Sequence, residues 1–130
     1  MMQELKAGGK TVALLIGAEG FSDGPNPITP PEASLQMLVV KLAEGKVVAK
    51  HTHKKMERVT VERHKAIIVL EGRLEALLCD NDGLDGESCE VTAGQCLLLI
   101  NGGYTLTAKD DCIFYEFKNG PHVEDKVRFN

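Results

Sequence analysis

Apolar and β-branched residues occur along this chain in short runs, and clusters of Gly, Pro, Asn and Asp separate one run from the next. Runs of about four to eight such residues between turn-forming residues are typical of β-strands. Only residues 1–7 show a helical tendency, and it is weak. The pattern therefore predicts an all-β sandwich or barrel. The predicted strands span 11–16, 35–42, 47–53, 59–61, 66–70, 74–79, 95–100 and 113–117.

Length and charge limit the classes of function. The chain has 130 residues, which is enough for one ordinary domain with a core. Its formal net charge is −4, and no basic run is present, which argues against nucleic acid or an anionic membrane surface as the main partner. The N-terminus lacks a signal-peptide pattern, and the longest apolar runs, 66–70 and 96–100, are too short to cross a bilayer. We therefore expect a cytoplasmic protein with neither a nucleic-acid nor a membrane partner.

The number and spacing of the cysteines are also typical of a cytoplasmic protein. Cys79, Cys89, Cys96 and Cys112 include no Cys-x-x-Cys pair, so neither a zinc ribbon nor a redox dithiol is indicated. Each lies in or beside an apolar run, where a free cysteine behaves as a small buried hydrophobic residue. We expect reduced thiols in the core of a cytoplasmic protein.

The most informative short stretch is His51-Thr52-His53, at the end of the predicted strand 47–53. Side chains of a strand alternate between its faces, so both histidines would project to the same side. Neutral imidazole is a common ligand of zinc, iron, nickel and manganese, so this pair could supply half of a metal site. Taken alone, two histidines with this spacing more often bind nothing.

Three segments resemble the cupin superfamily. Residues 45–53, Gly-Lys-Val-Val-Ala-Lys-His-Thr-His, have the spacing of the first cupin motif, which is a glycine, five residues and His-x-His. The apolar run and turn at 66–72 resemble the end of that motif, and residues 94–104 resemble the second motif. The residues at 114–121 and 125–129 are similar to those of small single-domain cupins of the WbuC-like kind.

This resemblance implies one cupin domain over residues 1–130, folded as a double-stranded β-helix, or jelly-roll barrel, of antiparallel strands. Its parts would be a strand with a Pro/Gly-rich loop at 1–34, a barrel core at about 35–118 and a tail at 119–130. The resemblance also implies a homodimer and a link to surface-polysaccharide or nucleotide-sugar metabolism.

The sequence departs from the cupin pattern at two of the expected ligand positions. Lys65 occupies the position of the motif's glutamate. The position of the second motif's histidine is occupied by Tyr104, or by Thr105 if the spacing from Gly94 is kept strictly. An ammonium group repels a dication, so the resemblance implies a degenerate site in which only His51 and His53 remain. Glu57 could supply a replacement ligand. We expect either no cofactor or a weakly bound Zn, Ni, Mn or Fe ion.

Lys65 is the residue on which the functional hypotheses differ most. Strand alternation places Lys65 on the same face as Ile67, and the cupin pattern puts that face inside the barrel. A buried ammonium group needs a partner. We therefore expect Lys65 to pair with Glu75 or Glu116, to form a hydrogen bond with Tyr104, or to bind an anionic ligand.

Three functions remain open. The first is a small-molecule-binding protein whose pocket, lined by His51, His53, Lys65 and Tyr104, accepts an anionic or sugar-like ligand. The second is a metal-dependent sugar isomerase or epimerase that uses His51 and His53. The third is a non-catalytic structural or regulatory homodimer. The two substitutions favour the first, but whether the chain is an enzyme stays open, because cupin barrels host enzymes and non-enzymes alike.

Overall fold

The computed structural model describes residues 1–129, and Asn130, the last residue of the predicted tail, lies outside them. These residues form ten strands and no helix, so the part of the chain that the structure describes holds no helix able to cross a bilayer. All the strand pairs are antiparallel, and the all-β prediction is confirmed. The strands are β1 (Met2–Ala7), β2 (Lys10–Ile16), β3 (Gly24–Pro27), β4 (Leu38–Lys41), β5 (Lys65–Glu71), β6 (Arg73–Cys79), β7 (Asp85–Thr92), β8 (Cys96–Leu99), β9 (Gly103–Ala108) and β10 (Ile113–Lys118).

Five strands form the main sheet, in the order β1-β2-β8-β5-β10. The three central strands are covered on both faces, which explains why their sequences are nearly continuous apolar runs instead of alternating ones. The register aligns Leu14 with Leu98 and Leu98 with Ala66, so these three side chains share one face. On each strand, the residues immediately before and after these three point to the other face of the sheet.

The larger core lies between the main sheet and a three-stranded sheet of order β7-β6-β9. Along β6, Leu74, Ala76 and Leu78 are buried while Arg73 and Glu75 are exposed, as expected for a strand with one face in the core. The buried residues of this core are Leu5, Ala7, Val12, Ala13, Leu15, Ile67, Val69, Leu74, Ala76, Leu78, Val91, Leu97 and Leu99.

A second core covers the other face of the main sheet. Its buried residues are supplied by the sheet, and partly buried residues of the β3–β4 hairpin and the neighbouring loops pack against them. The structure is therefore layered, with the main sheet in the middle. The buried residues of the second core are Leu14, Ile16, Ala66, Cys96 and Leu98.

The main sheet and the three-stranded sheet approach each other closely where β1 lies beside β7. The backbone N–H of Lys6 donates a hydrogen bond to Glu87 Oε2 at 2.7 Å. A Cβ atom at Gly86 would collide with Ala7 and with the carbonyl oxygen of Lys6, so the absence of a side chain at this position permits the approach.

The helical tendency assigned to residues 1–7 is wrong, because Met2–Ala7 is a strand. Leu5 and Ala7 are buried while their neighbours are exposed, which is the period of a strand with one buried face. Gly8 and Gly9 join this strand to β2, and both have positive φ, as tight hairpin turns require. As a result β1 and β2 belong to the main sheet and contribute residues to the larger core.

The predicted strands 47–53 and 59–61 are also wrong, because the segment between β4 and β5 has no regular strand. Charged residues at 54–58 interrupt its apolar pattern, and its valines are largely exposed, with Val61 at 93%. The predicted strand 35–42 is shorter, as β4. Strands β3, β7 and β9 were not predicted. Strand β3 forms inside the Pro/Gly cluster because an edge strand tolerates proline.

All four cysteines are free, and none is fully exposed. Cys96 is buried in the second core, and this burial raises the pKa of its thiol to about 11. Burial also raises the pKa values of Cys79 and Cys89. Cys89 and Cys112 pack against the larger core, whereas Cys79 is partly buried and is part of neither core.

Cys96 is expected to make the fold sensitive to alkali. Its thiol loses its proton at a higher pH in the folded chain than in the unfolded chain, so the stabilisation is complete below about pH 9 and is lost as pH rises to about 11. The decrease in the free energy of unfolding is about 3 kcal/mol. Urea unfolding of wild type and Cys96→Ala at pH 8 and pH 11 measures it, and the variant should lose less stability over this interval. Parallel losses in both proteins would contradict the assignment.

Candidate functional site

The structure places the candidate site residues in two separate regions. Lys65 and Tyr104 lie together at one end of the space between the main sheet and the three-stranded sheet. His51 and His53 lie on the exposed segment between β4 and β5, and they do not line the cavity at Lys65. Of the four residues predicted to line one pocket, only Lys65 and Tyr104 line the same cavity.

Lys65 is the first residue of β5 and lies on the face of the main sheet that packs on the larger core. Its side chain is only 20% exposed, and its Nζ lies 3.5 Å from Glu116 Oε1. The same Nζ lies 5.6 Å from the centroid of the Tyr104 ring, within the range of a cation–π contact. Glu116 is therefore the acid that Lys65 contacts, while Glu75 pairs with Lys109 instead.

Tyr104, near the start of β9, completes this cluster. Its hydroxyl donates a hydrogen bond to Glu116 Oε1 at 3.4 Å, so Glu116 contacts both Tyr104 and Lys65. Burial raises the pKa of the Tyr104 phenol well above its usual range, and the charge of Glu116 and this hydrogen bond raise it further. The phenol is consequently a neutral hydrogen-bond donor at ordinary pH.

A cavity of about 570 Å³ adjoins this cluster. It lies where β5 and β9 begin and where β6, β8 and β10 end, and its size is within the usual range for small-molecule sites. Five cationic side chains and two carboxylates line it, so its lining carries a net positive charge although the whole chain is acidic. The charged lining residues are Arg63, Lys65, Lys118, Lys126 and Arg128 with Glu124 and Asp125.

Residues 122–129 form one wall of the cavity, and the tail 119–129 to which they belong is held at both ends. At the start, Asn119 Oδ1 accepts a hydrogen bond from the backbone N–H of His64 at 2.8 Å, and the Asn119 carbonyl accepts one from Arg63. At the other end the Phe129 ring packs against Gly83, where a Cβ atom would lie within 3.0 Å of three ring atoms. Between these points, Arg63 Nε lies 3.7 Å from Asp125 Oδ2.

The histidine pair does not provide a cupin-type metal site. The rings of His51 and His53 are 5.2 Å apart and nearly perpendicular, and His51 Nδ1 lies 2.8 Å from the carbonyl oxygen of Ala49. Within residues 1–129, no group of three or more His, Cys, Asp or Glu side chains is placed to hold a metal ion. Glu57 is exposed on the same segment and does not complete a set of ligands. The residues present do not fit the metal that the resemblance implies.

Several cavity residues escaped sequence analysis although signals for them exist. Lys118 follows Glu116 by two residues, so extending the predicted strand 113–117 by one residue puts both on one face. Arg63 precedes Lys65 by two residues in the same way. The tail gave no such signal, because residues 122–129 form no strand and reach the cavity through long-range packing. His122, which had no predictable partner, is one of the lining residues.

Comparisons with models of protein families, with curated proteins and with solved structures found no match to this chain.

Proposed function

We propose that this chain is a cupin-like jelly-roll protein that binds a small anionic or sugar-like molecule in the cavity at Lys65. The observation that carries this proposal is the excess of cationic side chains in a cavity of small-molecule size on an acidic protein. A cationic cavity attracts anions, and it does so most strongly where its walls exclude water.

The cavity supplies the groups that a sugar acid or a sugar phosphate needs. Arg63 and Lys118 provide donors for a carboxylate or phosphate, and Lys65 provides a third cation that is shared with Glu116. The Tyr104 phenol and nearby backbone groups would orient hydroxyl groups of the same ligand. This ligand class agrees with the surface-polysaccharide or nucleotide-sugar connection that the cupin resemblance implies.

We do not assign a metal-dependent reaction to this cavity. His51 and His53 would at most hold a divalent ion weakly, because two imidazoles on an exposed segment give an incomplete set of ligands. The proposal is therefore of binding, not of metal-assisted isomerisation. We place the protein in the cytoplasm, in agreement with its four free cysteines.

Calorimetric titration with glucuronate, inorganic phosphate and glucose is expected to show binding of the two anions and much weaker binding of the neutral sugar. Lys118→Gln should weaken anion binding about tenfold, because a hydrogen bond to a charged group is lost. Lys109→Gln is the matched control, since Lys109 pairs with Glu75 and does not line the cavity. Equal affinities of the two variants, or equal binding of glucose and glucuronate, would contradict the proposal.

A second candidate function, the non-catalytic homodimer, is favoured by strand β10. This strand is at the edge of the main sheet, and its side chains Ile113, Tyr115 and Phe117 are exposed. An exposed apolar edge is a template for pairing with another strand. Antiparallel pairing of β10 with β10 of a second copy would satisfy both edges across a two-fold axis.

Phe117→Lys is expected to shift this protein from dimer to monomer, because it places a charge on the edge that would pair. Sedimentation velocity over a range of concentrations measures the change. Leu84→Lys is the control, because Leu84 is similarly exposed but lies in the turn between β6 and β7. A wild type that sediments as a monomer at all concentrations would remove this candidate.

A further inference from the structure

A second cavity, of about 300 Å³, lies on the opposite face of the main sheet from the Lys65 cavity. It is formed by residues next to β5 and β8 and by the loop at 28–34. Consecutive residues of an extended chain point to opposite faces, so Lys65 points to the first cavity and His64 to the second. The second cavity is lined by Leu14, Ile28, Thr29, Pro30, Glu32, Ala33, Ser34, Glu62, His64 and Ile100.

His64 is buried in this cavity without a hydrogen bond to its ring. Only 7% of the side chain is exposed, and neither Nδ1 nor Nε2 has a hydrogen-bond partner within residues 1–129. Glu62 Oε2 is the neighbouring acceptor, 3.6 Å from Nε2, which is too far for a hydrogen bond. Buried polar atoms nearly always have a partner, so a group that enters this cavity would find an unused imidazole nitrogen.

The charge of the second cavity is opposite to that of the first. Glu32 and Glu62 line it, and its described lining residues include no lysine or arginine. The side chain of Glu62 is largely exposed, so its carboxylate is accessible to a ligand from solvent. Leu14, Ile28 and Ile100 supply the apolar wall. Apolar walls with a few convergent polar groups are typical of ligand sites.

We propose that this cavity is a binding site for a small organic cation, a primary ammonium group on a short apolar body. The ammonium group has three N–H donors, and the lining of the cavity includes the Glu62 carboxylate, the Ser34 hydroxyl and the unpartnered imidazole of His64. The apolar body packs against Leu14 and Ile100. This site is separate from the anion site proposed above, so either can fail without the other.

Benzylamine tests the proposal, with benzoate and benzyl alcohol as probes of the same shape but different charge. Calorimetry gives the affinities, and NMR of the histidine ring resonances, assigned with His64→Phe, reports contact with His64. We expect benzylamine to bind and shift the His64 resonances, and benzoate to do neither. Glu62→Gln should weaken benzylamine binding about tenfold, while Glu44→Gln, an exposed acid outside the cavity, should leave it unchanged.

Three outcomes would overturn the proposal. They are equal affinities for benzylamine and benzoate, benzylamine binding without a shift of the His64 resonances, and unchanged affinity in Glu62→Gln. If His64→Phe does not fold, Glu62→Gln still decides, because its side chain is 75% exposed and its replacement leaves the core intact. Lys65→Gln should not alter benzylamine binding, which separates this result from that of the anion site.

Discussion

Lys65→Glu is expected to weaken anion binding by about 10- to 100-fold, the largest effect of any single change in the cavity. The variant removes the cation nearest to Tyr104 and places a second carboxylate beside Glu116, which lies 3.5 Å from the native ammonium group. Two carboxylates at that separation repel each other. The cavity therefore attracts an anion less strongly, and the ion pair no longer holds its side chains in place. Calorimetric titration with glucuronate and with inorganic phosphate measures the loss.

Glu116→Gln is the reciprocal variant, and it should strengthen anion binding several-fold. In the native protein Glu116 neutralises part of the charge of Lys65, and the amide cannot do so. The same variant should lower the pKa of Tyr104, because the charge of Glu116 and its hydrogen bond both raise that pKa, although burial keeps it above its usual value. Spectroscopic titration in a Tyr115→Phe background, which leaves Tyr104 as the single tyrosine, isolates this change.

Opposite changes in Lys65→Glu and Glu116→Gln would support a ligand that competes with Glu116 for Lys65. Unchanged anion affinity in both variants would show that the ion pair is only structural and would remove Lys65 from the site. A change in the pKa of Tyr104 without any change in affinity would confirm the contacts of Glu116 but not the proposed ligand.

The central strands β5 and β8 of the main sheet could be predicted because local pattern and tertiary environment agree there. Residues 66–70 and 96–100 are continuous apolar runs, and each contributes a central strand covered on both faces. Alternation along the same strand predicted that Lys65 shares a face with Ile67, whereas the choice of that face as the inner one came from the cupin resemblance.

The histidine segment could not be predicted, because alternation within a strand matters only if the strand forms. Residues 47–53 have β-compatible side chains, but strand formation depends on a neighbouring edge and on apolar surface to cover, which are tertiary properties. Here that stretch is exposed, so the expected common face of His51 and His53 beside Lys65 does not form. The tail is the opposite case, since residues 122–129 gave no strand signal and yet line the cavity.

Replacing Leu98 by alanine is expected to lower the free energy of unfolding by about 2–5 kcal/mol. Leu98 is completely buried, in the central strand β8, and it lies on the face of the main sheet that the β3–β4 hairpin and nearby loops cover. Its removal leaves a cavity between two layers that cannot fully close. Because small domains are stable by only about 5–15 kcal/mol, this loss is a large part of the total.

This variant also tests the layered arrangement, because Leu98 would be much less buried if the second core were absent. Urea unfolding measures the change, with Leu97→Ala reporting on the larger core and Leu84→Ala, at a residue that is 67% exposed, serving as the surface control. We expect Leu98→Ala and Leu97→Ala to destabilise the protein by similar amounts and Leu84→Ala by less than about 0.5 kcal/mol. If Leu98→Ala instead resembles Leu84→Ala, the β3–β4 layer does not pack on the sheet, and the cavity at His64, which shares Leu14 and Ile28 with the second core, loses its wall.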